Sequence, residues 1–370
     1  MHITIEKPVF VKALSHLYRI VEKKSTIAVL SNVKLEAGKT LALAATSVDL
    51  EIVEELDAEI SEKGSTTLPA HVLYDIVKKL PDGKISMKSS PDGSKMVIRA
   101  GAAEFTLPTL PVDDFPVMAA GSMPFKFTLP VDDMVRLIDR TKFAMSVEEA
   151  RYFLNGIFLH VVEKAGKEIL RAVATDGHRL AQFDVASPKD AKGMPGIIVP
   201  RKVINELRSL LEDTSADVKC EVSETKARFS FAGVTVTSKL IDGKFPDYEK
   251  VIPTNNDRVL EVDCKAFAEA VDRVSSVSFE KSRSIKLVLG KNKLTLLASA
   301  PDSGSAVEDL EVGYSAEPME VGFNSRYLLD IAGQIEGKFM KLTLADASNP
   351  AIITEIDSTQ AVFVLMPMRI

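Results

Sequence analysis

The sequence predicts an α+β protein of three tandem, similar domains, each with two helices packed on antiparallel sheets. Three observations carry that expectation. The first is a strand-then-helix unit that occurs three times. Ile3-Thr4-Ile5-Glu6 precedes Val9, Phe10, Ala13, Leu14, Leu17, Ile20 and Val21; Phe127-Thr128-Leu129 precedes Met134, Val135, Leu137, Ile138 and Ala144; Leu260-Glu261-Val262 precedes Phe267, Ala270, Val271 and Val274. Steps of three and four residues keep each apolar set on one helix face. Anchored on Ile5, Leu129 and Val262, the copies lie 124 and 133 residues apart. The second observation is another helix opening after Leu68-Pro69, Val199-Pro200 and Phe323-Asn324, at steps of 131 and 124 residues. The third is a shared ending: Phe115-Pro116 and Phe245-Pro246 lie 130 residues apart, each after an alternating strand, and the last copy stops on Ala361-Val362-Phe363-Val364-Leu365. A period that long describes tandem domains rather than a solenoid.

Each element has a local reason. Pro8 suits the first turn of the first helix, which the apolar spacing extends to about fourteen residues. Alternating runs at 39–43, 52–56, 85–88, 97–99, 227–231 and 293–298 read as short strands, bounded by turns such as Asp82-Gly83 and Asp92-Gly93. Turn-rich stretches at Gly121-Ser122-Met123-Pro124 and 253–257 place the boundaries, giving domains 1–122, 123–253 and 254–370. The length alone, 370 residues, already exceeds what one core usually organises.

Composition narrows function. A net charge of −6 argues against a generic basic nucleic-acid binder but leaves room for a basic face. With no Trp and 6% aromatic residues, extensive base-stacking platforms are not expected. Cys220 and Cys264 have no metal or redox spacing and read as small buried hydrophobes, so neither metal nor cofactor is expected. No apolar run approaches the ~18 residues of a membrane span, and the N-terminus lacks a basic-then-apolar signal. A soluble, cytoplasmic protein with no membrane partner is the expectation.

One stretch stands out. Thr175-Asp176-Gly177-His178-Arg179-Leu180-Ala181 follows the apolar run 169–174, and Asp-Gly makes it a strand-to-strand corner. Asp176 beside His178 raises the possibility of acid–base catalysis, yet adjacent hairpin residues point apart and no nucleophile lies nearby. A structural or binding corner is the better reading. Basic residues also recur on the polar sides of corresponding helices, among them Arg136, Arg140, Arg201 and Lys202, mixed with acidic ones. Such a face would hold phosphates without reading bases.

The corner, the segment Lys239-Leu240-Ile241-Asp242-Gly243-Lys244-Phe245-Pro246-Asp247-Tyr248, the ending Met366-Pro367-Met368-Arg369-Ile370, and Arg151-Tyr152-Phe153-Leu154-Asn155-Gly156 together resemble the bacterial DNA polymerase III beta subunit family, the beta sliding clamps. The resemblance spans the chain. It implies three clamp-type domains and a head-to-tail homodimeric ring around double-stranded DNA, bound without regard to sequence. The implied role is a non-catalytic processivity subunit that raises a polymerase's local concentration at the primer end. A groove between the second and third domains would take peptides from the polymerase III alpha subunit, the clamp loader, translesion polymerases, mismatch-repair proteins and ligase. Carried over residue by residue, that groove comprises Leu154, Thr175, Gly177, His178, Arg179, Leu180, Pro246, Val251, Asn324, Tyr327, Val364, Leu365, Met366, Pro367, Met368 and Arg369. DNA contacts would come from Lys24, Arg151, Tyr152, Arg201 and Lys202. The dimer seam would use Phe105 and Leu107 against the segment around Val277, with Lys95 and Arg99 facing Glu308 and Asp309. Ser282 and Lys250 depart from frequent family residues at the groove rim.

Overall fold

A computed structural model describes residues 1–370 except 24, 120, 279–282, 302–303 and 370. Among the described residues lie six α-helices: α1 (Lys7–Leu17), α2 (Ala70–Lys79), α3 (Val131–Asp139), α4 (Arg201–Leu210), α5 (Cys264–Ser275) and α6 (Ser325–Ala332). They fall two to a repeat, and the strand-then-helix order holds each time. The strands His2–Glu6, Phe125–Leu129 and Arg258–Asp263 lead into α1, α3 and α5. The helices bury the stripes that the spacing marks: Phe10, Ala13, Leu14 and Leu17 on α1; Met134, Leu137 and Ile138 on α3; Phe267, Ala270, Val271 and Val274 on α5. Full burial of one such Phe or Leu is worth about 1.5–3 kcal/mol.

Two expectations need correction. Helix α1 has 11 residues and stops at Leu17; Ile20 and Val21 are buried after it, in the turn that follows. The apolar period continues because the chain folds back onto the core, not because the helix goes on. Likewise Ala144 is buried in a separate 3-10 turn, Lys142–Ala144, beyond the end of α3.

The described residues form two compact units. The first comprises Met1–Val131, Pro188–Met194 and Asn205–Leu240. It holds a five-stranded sheet in the order Glu59–Glu62, His2–Glu6, Lys84–Ser89, Lys95–Ala100, Ala103–Pro108. Its second sheet has eight strands and joins two repeats: Phe125–Leu129, Val218–Val222, Lys226–Phe231 and Val234–Lys239 continue into Leu50–Leu56, Leu41–Thr46, Asn32–Ala37 and Gly64–Pro69. The joint pairs Val236 with Ile52.

The second unit comprises Asp132–Ser187, Pro195–Ile204 and Ile241–Ile370. Its nine-stranded sheet repeats the same joint. Ile197–Pro200, Gly156–Lys164, Lys167–Thr175 and Arg179–Ala186 continue into Ala361–Leu365, Ala351–Glu355, Phe339–Leu344, Arg258–Asp263 and Gly313–Tyr314. Here Leu180 sits opposite Val364. A four-stranded sheet runs Gly304–Glu311, Lys293–Ala300, Ser284–Gly290, Met319–Asn324. Alternation explains the burial along these strands: Ile285, Leu287 and Leu289 face the core while their neighbours do not. Cys220 and Cys264 are both free and buried.

Candidate functional site

The corner between Lys167–Thr175 and Arg179–Ala186 is built from its own polar groups. Gly177 has φ +87°, a left-handed conformation that glycine adopts without strain. Asp176 Oδ1 accepts the backbone N–H groups of His178 at 2.9 Å and Arg179 at 3.0 Å. Thr175 Oγ1 accepts the Gly177 N–H at 3.1 Å and donates to the Arg179 carbonyl at 2.7 Å. Asp176 Oδ2 accepts from Arg179 Nε at 3.1 Å. With both carboxylate oxygens so engaged, Asp176 works as a turn cap rather than as a partner that orients an exposed His178.

Arg179 is a half-buried hub. Besides Asp176, its guanidinium donates to Asp330 Oδ2 at 2.5 Å and to the Phe143 carbonyl at 2.6 Å. It also stacks over the Tyr327 ring, 4.2 Å from the centroid. One side chain thus ties the corner to α6 and to the turn after α3. The family resemblance placed Arg179 among the groove residues; its geometry makes it first a brace.

The C-terminal segment seals the other side. Leu365 pairs with Arg179 along the joint, the Met366 N–H donates to the His178 carbonyl at 2.9 Å, and the Met368 N–H donates to the Gly322 carbonyl at 2.8 Å. Between these parts opens a cavity of about 390 Å³, lined from four segments: 151–154, 175–180, 246–251 and 364–366. An apolar cluster backs it, including Leu154, Val173, Leu180, Phe245, Tyr248 and Val364. Val251 and Met366 are large apolar side chains on its lining, exposed at 50% and 39%. A concave apolar site with an exposed Val and an adaptable Met on its lining suits a peptide's hydrophobic side chains.

Under the cavity, Tyr248 Oη meets His160 Nε2 at 3.0 Å and Arg171 Nη1 at 3.2 Å. Arg171 in turn makes a two-pronged pair with Asp184, at 2.7 and 3.0 Å. Burial, followed by the nearby Arg171 charge, pushes the His160 pKa down to about 4. Burial works against the Arg171 charge as well, but its bonds to Asp184 and Tyr248 outweigh it and hold the proton more tightly.

Ten of the sequence-predicted groove residues come together here: Leu154, Thr175, Gly177, His178, Arg179, Leu180, Pro246, Val251, Val364 and Met366. The others stand elsewhere in the same unit. Asn324 caps α6, its side-chain oxygen accepting from the Arg326 and Tyr327 N–H groups. Tyr327 supports Arg179, and Pro367, Met368 and Arg369 continue the tail beyond the lining. Leu365 is fully buried on the opposite face of its strand from Val364, so its assignment to the groove surface is corrected. Phe153, Asp247 and Tyr248 line the cavity and were not singled out, although the Phe245-Pro246-Asp247-Tyr248 motif contains two of them. Lys250 is exposed and pairs with Asp247 at 2.8 Å; Ser282 lies outside the described residues.

The expected DNA contacts divide. Lys24 lies outside the described residues. Arg151 lines the cavity and makes a bidentate pair with Glu148, at 2.9 and 2.6 Å. Tyr152 is 53% exposed, and Lys202 is exposed on α4. Arg201 donates to the Met145 and Ser146 carbonyls at 2.5 and 3.0 Å, and burial lowers its pKa. Arg140, expected on a solvated helix face, is instead buried and pairs with Glu336 and Glu355.

At the expected seam, Ala103–Pro108 and Gly304–Glu311 are each the edge strand of their own sheet. Phe105 is 39% exposed beside a cavity of about 340 Å³ lined by Val72, Ile76, Leu80 and Pro81. Leu107 is buried within the first unit, which corrects its reading as a free apolar contact. Val277 is half-buried. Of the charges assigned to the seam, Arg99 pairs with Glu104, Glu308 with Arg273 and Asp309 with Lys293. Among the described residues no cluster of His, Cys, Asp and Glu could hold a metal ion, and no helix is long and apolar enough to cross a membrane.

Comparison with known proteins places this arrangement. Sequence models of the DNA polymerase III beta subunit match the chain in three pieces: the N-terminal domain over residues 1–119, the central domain over 128–247 and the C-terminal domain over 249–369. The chain belongs to the DNA polymerase III beta subunit family. Beta sliding clamps of Caulobacter vibrioides and Escherichia coli are 46% and 36% identical to it, each over the full length of both chains. A crystallised sliding clamp of Caulobacter crescentus superposes with a TM-score of 0.97 at 46% identity, again over all of both chains. Clamps of Bartonella birtlesii and Pseudomonas aeruginosa, each bound to griselimycin, follow at TM-scores of 0.96 and 0.95, with 46% and 38% identity and full coverage of both chains. The three repeats are therefore three clamp domains of helices and antiparallel sheets, and the replication role of the family is this chain's.

Proposed function

We propose that the protein acts as a non-catalytic processivity factor: a head-to-tail homodimeric ring that encloses duplex DNA and holds replication and repair proteins by short peptides. The observation that carries the tethering half is the apolar cavity at the 175–180 corner, with Val251 and Met366 exposed on its lining. Its ten converging residues favour a peptide with spaced hydrophobic anchors, from the polymerase III alpha subunit, the clamp loader, translesion polymerases, mismatch-repair proteins or ligase. Engaged as a turn cap, Asp176 gives no support to a hydrolytic dyad with His178.

The domains run 1–122, 123–253 and 254–370 in this reading, and the protein works on DNA in the cytoplasm. Two unpaired sheet edges, Ala103–Pro108 and Gly304–Glu311, support a strand-to-strand seam between copies, with exposed Phe105 from one and Val307, 64% exposed, from the other. Acidic residues on the second edge, such as Glu311, complement Lys95 on the first sheet. Phosphate contacts fall to Lys202, Tyr152 and Lys24 more readily than to Arg201, which is already held by two carbonyls.

Retention on DNA tests the ring. Protein loaded on a nicked circle should stay through a high-salt wash and leave once the circle is cut, because topology rather than charge holds it. Equal loss from circular and linear DNA contradicts encirclement.

A further inference from the structure

We infer that the buried Arg171–Asp184 pair is a positioning device for the groove, acting through the Tyr248 hydroxyl to set how tightly a peptide is held. The inference rests on reading the 390 Å³ cavity as a peptide groove. Arg171 and Asp184 face each other midway along the hairpin that carries the 176–178 corner. Tyr248 belongs to the segment 245–252, which supplies Pro246, Asp247 and Val251 to the lining and has only a short 3-10 turn of its own, Tyr248–Val251. What secures that segment is largely side-chain chemistry: Phe245 stacks on Phe158 at 4.7 Å, and Tyr248 enters the polar chain.

An arginine has no acceptor, so Arg171 Nη1 donates to Tyr248 Oη, and the hydroxyl shares a second bond with His160 Nε2 whose direction follows the imidazole tautomer. Asp184 holds Arg171 through both carboxylate oxygens and also accepts from Lys164 Nζ at 3.0 Å. Burying such a pair is costly, and well-packed apolar residues would hold the hairpin as well. The Asp184–Arg171–Tyr248–His160 chain gives it a task that apolar residues could not do. It fixes the ring that lines the groove, so a peptide meets a wall already in place.

The test uses the full-length protein and a fluorescent peptide carrying a glutamine and two spaced hydrophobic anchors. Saturable binding to the native protein is expected; its absence overturns the groove reading and this inference with it. Tyr248→Phe and Asp184→Asn should each weaken binding about 3- to 10-fold, as expected for one lost buried hydrogen bond. The double variant should bind no worse than the weaker single one, because both changes cut the same chain. The fraction of already loaded protein that a nicked circle retains should be unchanged in all three, because topology and not the groove holds it. If Asp184→Asn does not fold, His160→Gln with Tyr248→Phe completes the same cycle. Native peptide binding with both singles within twofold of it overturns the inference alone, as does a double variant whose loss is the product of the singles.

Discussion

At the corner Thr46–Leu50 of the first unit, Val48 adopts φ +71° and Thr46 Oγ1 accepts its N–H at 3.3 Å. At the corner Thr175–Arg179 of the second unit, Gly177 adopts φ +87° and Thr175 Oγ1 accepts its N–H at 3.1 Å. The next bond matches as well: Ser47 N–H to the Leu50 carbonyl at 2.8 Å, Asp176 N–H to the Arg179 carbonyl at 3.4 Å. In both units the last strand of the following repeat docks at one equivalent atom. The Lys239 N–H reaches the Asp49 carbonyl, and the Met366 N–H reaches the His178 carbonyl, each at 2.9 Å. The backbone plan is one plan used twice.

Side chains make the difference. In the first corner Leu50 is buried and the Lys239 ammonium closes on the Asp49 carboxylate at 2.9 Å. In the second, Arg179 takes the place of Leu50, Gly177 that of Val48 and His178 that of Asp49, and a cavity opens beside them. The two corners share one backbone joint and differ in a few side chains, and the cavity accompanies the second set.

Removing residues 366–370 takes away the Met366 side of the cavity and its bond to His178. Peptide affinity should fall by about 100-fold or more, a loss near 3 kcal/mol, while sedimentation still reports a dimer. A monomeric product would contradict the assignment of the tail. Arg179→Leu, which gives the second corner the residue of the first, strands Asp330 and the Phe143 carbonyl. Urea unfolding should show a loss of about 1–3 kcal/mol, as for a partly buried ion pair whose acceptors are left unpaired.

Protonation probes the wired floor beneath the open corner. His160 has a folded pKa of about 4 and an ordinary unfolded value near 6.5, so between these the unfolded chain binds more protons. The contribution is complete above pH 6.5 and is lost as pH falls towards 4, by at most about 1.4 kcal/mol per pH unit. Urea midpoints at pH 7 and pH 5 should differ less in His160→Gln than in the native protein; equal differences would contradict it. Gly177→Val should cost about 1–2 kcal/mol. A Cβ there meets the Arg151 guanidinium at 2.6 Å, but that flexible end can swing aside, so backbone strain dominates. The converse, Val48→Gly, should shift stability by less than about 0.5 kcal/mol, since relieved strain offsets a more flexible unfolded chain.

Periodicity made the three repeats and six helices legible, because apolar stripes at helical spacing state their own geometry. Asp176-Gly177 likewise announced its turn, since that chemistry is local. Residue patterning could not join positions far apart in the chain; only the family resemblance did so. The docking of Ala361–Leu365 on Arg179–Ala186 rests on backbone bonds between residues nearly two hundred positions apart. Arg140 and Arg179 look like surface charges until Glu355 and Asp330 arrive from another repeat. Leu365 and Val364 read alike in sequence, and only the pleat decides which one faces the groove.

The most direct test of the account is a co-crystal structure of the protein with a glutamine-containing peptide bearing two spaced hydrophobic anchors. The account predicts the anchors in the cavity against Leu180, Val251 and Met366, with Tyr248 still bonded to Arg171. A peptide bound elsewhere, for instance beside Val48, with that cavity empty, would contradict it.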